Sequence, residues 1–193
     1  MTSFSSLLAE VRACTICEAH LPLGPRPVLQ LHPNARVLIA GQAPGKAVHS
    51  SGVPFDDASG NRLREWLGVT REDFYDPKQI AILPMGFCFP GSGRSGDLPP
   101  RPECAPAWRK QLLGKLRHLE LTVVLGRYAQ EYHFGPSGSS LTELVKSWRA
   151  HVPDTIPLPH PSPRNNPWLR RNPWFELELL PALRRRVSEV LLN

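Results

Sequence analysis

Ala35-Arg-Val-Leu-Ile-Ala-Gly41, running straight into Gln42-Ala-Pro-Gly45, is the stretch on which the fold turns. A short apolar run that ends in glycine predicts a buried strand delivering a loop at its carboxyl end. Working outward, Ile80-Ala-Ile-Leu-Pro84 reads as a second strand, the β-branched Leu121-Thr-Val-Val-Leu125 as a third and Thr155-Ile-Pro-Leu158 as a shorter fourth. Between them lie helical patterns. Residues 61–69 place Leu63, Trp66 and Leu67 at helical spacing, with Ser59 as a candidate N-cap. Residues 105–119 read as an amphipathic helix, 128–134 as a short one and 174–192 as a closing one. Residues 87–102, rich in Gly, Pro and Ser, read as a long loop, and loops of that length are usually functional. Strands alternating with helices predict an α/β chain, a three-layer α/β/α sandwich around a central, mostly parallel four-stranded sheet. There is no internal repeat and no dividing linker, so residues 1–193 are expected to form a single domain.

A chain of 193 residues, 41% of them hydrophobic, is long enough to bury one substantial core. No apolar run approaches the roughly 20 residues that a membrane helix needs, and no targeting segment is evident, so the expected setting is soluble and cytoplasmic. Twenty-three Lys and Arg against 17 Asp and Glu leave a net charge of +6, with Arg164, Arg170, Arg171, Arg184, Arg185 and Arg186 toward the C-terminal end. Such a cluster fits either a polyanion partner, whose counterions it would displace, or the solvated face of a terminal helix. The 22 prolines are interleaved with aromatic and aliphatic residues, which predicts fixed loops rather than disorder.

Cys14, Cys17, Cys88 and Cys104 are spaced C-x2-C, then 70 residues, then C-x15-C. That spacing suits one metal site better than two disulfides or scattered core thiols, because two close-set cysteines far from two others are unlike a small secreted disulfide scaffold. Four thiolates suit either Zn2+ or a [4Fe–4S] cluster, and ligand type alone does not separate them. Such a site would staple the N-terminal segment to the loop between Cys88 and Cys104. That loop carries Arg94 and Arg101, and Ser92, Gly93 and Ser95 could offer hydroxyl or amide contacts to phosphates; the alternative is a loop pinned for stability alone.

In a parallel sheet the working residues sit on loops leaving the carboxyl ends of the strands, so the segments after Ala40, Pro84 and Leu158 should converge on one crevice. The first carries Gly41-Gln-Ala-Pro-Gly45 and then Gly52-Val-Pro-Phe-Asp-Asp-Ala-Ser-Gly60; the last carries His160-Pro-Ser-Pro-Arg-Asn165. The first is neither a Walker loop, lacking a closing Gly-Lys-Ser/Thr, nor a dinucleotide fingerprint, lacking the G-x-G-x-x-G spacing. Together these segments resemble the uracil-DNA glycosylase superfamily over nearly the whole chain, the first glycine-proline loop looking like its first motif and the His160 loop like its second. The cysteine spacing is similar to that of the iron–sulfur branches numbered families 4 and 5. Gly52-x-x-Phe55-x-Asp57-x-Ser59-Gly60 looks most like family 5, whose catalytic aspartate falls at Asp57. Arg164, where a leucine is common, is similar to the single-strand-selective branch.

The resemblance implies a base-excision DNA repair enzyme, a hydrolase of N-glycosyl bonds acting on DNA with damaged bases and holding a [4Fe–4S] cluster; a monomer is the expected state for an enzyme that must lie flat on DNA. Breaking an N-glycosidic bond develops a cationic sugar and an anionic base, so the chemistry needs negative charge or a positioned water near C1′ and donors aimed at the base oxygens. Asp57 would supply the former, unless it is only a loop carboxylate or helix N-cap; His160 would hydrogen-bond the departing base. Phe55 is either a stacking platform for an extruded base or a core plug. Backbone N–H groups at Gln42 and Ala43, with Ser162 and Asn165, would contact the base. Family 4 carries Glu at the position of Gln42, so here the resemblance leaves catalysis to Asp57. Arg164 would either fill the gap left by a flipped nucleotide or hold a phosphate, and Arg94 would contact the backbone. Trp168 and Trp174 would either stack on nucleotides or close the core. One departure stands out: several branches read uracil with an asparagine shortly before the third cysteine, and Leu83-Pro-Met-Gly-Phe-Cys88 offers no amide. Discrimination between bases should fall accordingly, unless Asn165 or a backbone group replaces the reader. Two other functions fit the same residues: a catalytically inactive nucleic-acid-binding or damage-sensing module, and hydrolysis of a free nucleoside or other small ligand.

Overall fold

The four apolar runs become four parallel strands. In the computed structural model, which describes residues 3–94, 96–136 and 138–192, β1 (Val37–Ala40), β2 (Ile80–Ile82), β5 (Leu121–Leu125) and β6 (Thr155–Leu158) form one sheet in the order β2-β1-β5-β6. Val37 stands opposite Ile80 on one side and Leu121 on the other, and Val123 opposite Ile156. Successive side chains go to opposite faces. Val37, Ile39, Ile80, Ile82, Val123 and Ile156 share one core with Trp66, Phe74, Phe175 and Leu183. Leu38, Ala81 and Leu83 share a second core with Leu7, Val11, Phe87 and Leu112. Two cores, one on each face, make the expected three-layer α/β/α sandwich, and explain why the strands read as unbroken apolar runs.

The flanking helices are α1 (Phe4–Arg12), α2 (Lys46–Ser51), α3 (Ala58–Leu67), α4 (Arg71–Tyr75), α6 (Gly126–Phe134), α7 (Leu141–Lys146), α8 (Asn166–Arg171) and α9 (Leu180–Leu192), the last led in by a π-helical stretch at Phe175–Leu179. A π-helical turn, Ala105–Arg109, continues into α5 (Lys110–Leu113). The chain leaves β1 for β2 on one side and returns to β5 on the other. Where the order reverses, the loops leaving β1 and its neighbours part and open a crevice at their carboxyl ends.

Several expectations need correcting. Of the two candidate caps of α3, Ser59 is not the cap and lies buried in the first turn; the cap is Asp57, whose Oδ1 accepts the Gly60 N–H at 2.9 Å. The helix expected over 105–119 stops at Leu113, because Gly114 follows and glycine is a poor helix former. The loop over 87–102 contains an antiparallel hairpin, β3 (Ser92–Gly93) and β4 (Gly96–Asp97); Ser95, at its turn, lies outside the described residues. Trp168 and Trp174 pack at the edge of the core, their rings edge-on against Phe175 at 5.6 and 6.3 Å, in line with the core-closing alternative. Arg184 donates to the Glu65 carbonyl, and Arg186 to those of Pro153 and Glu120, so much of the terminal basic cluster ties α9 to its neighbours. No helix among the described residues is long and apolar enough to cross a membrane.

Candidate active site

The loops after β1, β2 and β6 do meet. They surround one crevice of about 340 Å3, lined by Gln42, Ala43, Phe55, Asp57, His160, Ser162, Arg164 and Asn165 among others, a volume within the usual range for a small-ligand site. The loops are knitted by backbone: the Met85 N–H donates to the Gly41 carbonyl at 2.8 Å and the Gly86 N–H to the Gln42 carbonyl at 2.9 Å. The segment Leu83–Phe87, which lacks the amide, therefore serves as wall; Leu83, Met85 and Phe87 are buried and Pro84 faces the crevice. The N–H groups of Gln42 and Ala43 have no acceptor among the described residues, which leaves them available to a ligand oxygen or water.

Phe55 is held in an unusual posture. Its φ of 55° lies in the left-handed region that a bulky residue rarely adopts, at a cost on the order of 1 kcal/mol. Its surroundings impose it. A Cβ on Gly60 would overlap the Phe55 carbonyl oxygen, so glycine at 60 is what lets the backbone pass over the start of α3. The ring meets Phe74 edge-on at 6.2 Å and lies over Gly41, where an added Cβ would stand 3.4 Å from it. The Tyr75 hydroxyl donates to the Pro54 carbonyl at 3.0 Å. Phe55 is thus packed on the core along one edge and part of the crevice wall along another, so both of its expected roles are compatible. The same holds for Asp57, which caps α3 through Oδ1 and also lines the crevice.

His160 presents a defined tautomer. The Ser162 N–H donates to His160 Nδ1 at 3.2 Å, so the neutral ring carries its proton on Nε2. Burial pushes its pKa below the usual histidine value, and the carboxylates of Asp57 and Asp97 push back. At neutral pH the ring is a neutral donor. The rest of its loop is fastened by its own polar groups. Asn165 Nδ2 donates to the His160 carbonyl at 2.6 Å, the Ser162 hydroxyl accepts the Arg164 N–H at 3.3 Å, and Arg62 of α3 donates to the Ser162 carbonyl at 3.1 Å.

Two residues escaped the sequence reading. Asp97, at the end of β4, lines the crevice, and Arg62 locks the His160 loop to α3. Neither lies in a motif; the long polar segment before Cys104 was the only hint of the first. Gln42 also differs from expectation, since its Nε2 donates to the Leu98 carbonyl at 3.1 Å. Arg94 does not join the crevice; it is exposed at the turn of the hairpin.

Cys14, Cys17, Cys88 and Cys104 gather around a second, much smaller cavity, walled by Ile16, Pro27, Phe87 and Trp108. No disulfide joins them, and Trp108 Nε1 donates to Cys14 Sγ at 3.2 Å. Burial pushes the Cys88 thiol up to about 11 and the Cys104 thiol up to about 12, and the neighbouring cysteine sulfurs add to both. An all-sulfur donor set suits a thiophilic cation, which would reverse that preference for the protonated form. Among the described residues no group of three or more His, Cys, Asp or Glu is arranged to hold a metal ion.

Comparison with known proteins places the chain in a family. A Type-4 uracil-DNA glycosylase of Sulfurisphaera tokodaii is 26% identical over 150 residues, covering 76% of this chain and 64% of the relative. One from Archaeoglobus fulgidus is 28% identical over 139 residues, covering 69% of this chain and 65% of the relative. The chain thus spans just under two thirds of the length of these curated relatives. A solution NMR structure from Methanosarcina acetivorans, of a chain proposed to be a uracil DNA glycosylase, matches with 22% identity, 81% of this chain, 93% of that one and a TM-score of 0.43. The family model of the uracil DNA glycosylase superfamily matches residues 29–184, most of the chain and all three crevice loops, and the chain belongs to that superfamily.

Proposed function

We propose that this chain is a DNA repair glycosylase that hydrolyses the N-glycosidic bond of a deaminated base, uracil or a related one, flipped out of DNA into the crevice. It would act as a single-domain monomer in the cytoplasm. The observation that carries the reading is that Phe55, Asp57 and His160, from loops more than 100 residues apart in the chain, share one crevice. Phe55 offers a face for the base. His160 offers an Nε2 proton to a base oxygen as negative charge grows there. Asp57 keeps Oδ2 for the sugar side, where a carboxylate stabilises positive charge at C1′. Exposed Arg164 and Arg94 would meet phosphates. With Asn165 engaged by the His160 carbonyl and no amide among residues 80–88, selectivity for uracil over hypoxanthine or xanthine would be weak, because no polar reader is left unsatisfied by the wrong base.

Cys14, Cys17, Cys88 and Cys104, gathered in one corner, would hold a [4Fe–4S] cluster, with Zn2+ as the alternative, because four thiolates suit either. Its part would be structural, tying the N-terminal segment to α5 and to the arm bearing the hairpin.

Purified protein incubated with single- and double-stranded oligonucleotides bearing uracil, hypoxanthine or xanthine, then treated with alkali to cleave abasic sites, tests the proposal. Strand scission that disappears in Asp57→Ala and His160→Ala supports it. Binding without scission would overturn it in favour of a damage sensor.

A further inference from the structure

The crevice holds a carboxylate that neither motif loop provides. Asp97 ends β4, and its Oδ2 lies against the first loop: a Cβ added at Gly45 would stand 3.3 Å from it. Ser92 Oγ donates to Asp97 Oδ1 at 3.0 Å, while Oδ2 has no hydrogen-bond donor among the described residues. Two side chains that the motifs bring to the crevice hold this arm in place. Gln42 Nε2 donates to the carbonyl of Leu98, the next residue, and the Arg164 guanidinium lies directly over Gly96, where any side chain would strike it.

The reaction needs a group that can take a proton from water, and the crevice offers few. The amides of Gln42 and Asn165 cannot accept one near neutral pH. His160 already carries its proton on Nε2 and accepts a backbone N–H on Nδ1. Asp57 has one oxygen committed to α3. Asp97 is the remaining carboxylate lining the crevice, and it acts on His160 from the arm as Asp57 does from α3.

Building on the glycosylase reading, we propose that Asp97 is a second catalytic carboxylate, which accepts a proton from the attacking water while Asp57 faces the cationic sugar. In that step the C1′–N bond breaks and its electron pair leaves on the base, which is held by the His160 Nε2 proton. The water oxygen bonds to C1′ and one of its protons passes to Asp97. Solvent then protonates the base and takes the proton from Asp97, so the sum is one water consumed, one free base and one abasic sugar.

Asp97→Asn keeps the acceptor for Ser92 and the shape of the arm. Single-turnover base release should fall about 10²-fold in this variant, the usual worth of a positioned general base, while affinity for a duplex carrying an uncleavable abasic analogue stays at the wild-type value. Asp97→Glu should recover the rate to within about tenfold of wild type. Wild-type release with Asp97→Asn within about threefold of it overturns this inference alone. So does a rate loss matched by an equal loss of abasic-duplex affinity and not recovered by Asp97→Glu, which would make Asp97 a structural residue of the arm. A wild-type chain that releases no base from any of the oligonucleotides overturns the glycosylase reading itself, and this one with it.

Discussion

The crevice and the cysteine corner each join segments far apart in the chain, and they are built by opposite means. In the crevice, backbone and side-chain hydrogen bonds within the protein hold the loops in place: Ser162 fixes the His160 ring, Gly60 fixes Asp57, and Arg62 fastens one loop to α3. In the corner, apolar walls surround thiols whose burial and mutual proximity favour protonation, with about 11 for Cys88 and about 12 for Cys104. The crevice loops are held by the protein's own hydrogen bonds. On the proposed reading, the corner would gain its full stability only when a cation balances four thiolates. Between them sits Arg109. It is fully buried on the turn that follows Cys104, and its Nη1 donates to the carbonyls of Leu83 and Pro84 at 2.5 and 2.9 Å, directly behind the crevice wall.

The largest expected effect lies in the corner. If the corner holds the proposed cluster, Cys104→Ser should abolish its visible absorption and lower stability by several kcal/mol or more, because metal binding would also be folding energy. Unchanged urea unfolding midpoints in this variant would mean the corner is as self-sufficient as the crevice, and the contrast would collapse. Next comes Asp57→Asn. Asparagine caps helices as well as aspartate does, so the melting temperature should hold while single-turnover base release falls about 10³-fold. A parallel drop in melting temperature would place Asp57 in the scaffold instead.

Gly60→Ala follows, at about 3 kcal/mol of destabilisation, since the new methyl group must displace the Phe55 carbonyl oxygen. Calorimetry would register the loss, and the cluster absorption should survive because the damage is confined to the crevice side. The smallest effect probes the joint. Arg109 Nη2 donates to His133 Nε2 at 3.0 Å, and burial followed by the Arg109 charge lowers His133 from 6.5 to about 4. The folded value lies below the unfolded one, so this stability is present above about pH 6.5 and is lost as pH falls to about 4 and beyond. His160, also depressed by burial, adds in the same direction. Unfolding free energies measured from pH 7 to pH 4 should decline, and His133→Gln should flatten part of that slope.

The strands and motif loops were legible because a parallel sheet buries both faces. Val37-Leu-Ile-Ala40 and Leu121-Thr-Val-Val-Leu125 could hardly be anything else once flanked by helical patterns. Short helices such as α2 and α4, with six and five residues, leave too few turns for a period to show. The sequence offered both Asp57 and Ser59 as caps of α3, because both are good capping residues, and the choice between them depended on which N–H lay three positions on. Asp97 was hidden for a different reason. Nothing about an aspartate in a Gly- and Pro-rich segment distinguishes a solvated loop from an arm laid along a crevice.

What the order of residues determined by itself was local: hydrophobic runs, turns, a glycine at 60, and four cysteines with a metal-like spacing. These follow from backbone geometry and from burial, which act over a few residues at a time. Only the tertiary structure decided what each polar side chain is used for. Gln42 went to the Leu98 carbonyl, Asn165 to the His160 carbonyl and Asp57 to both a helix end and the crevice, because a hydrogen bond is chosen by which partners arrive within about 3 Å, and that is settled by the packing of segments remote in sequence.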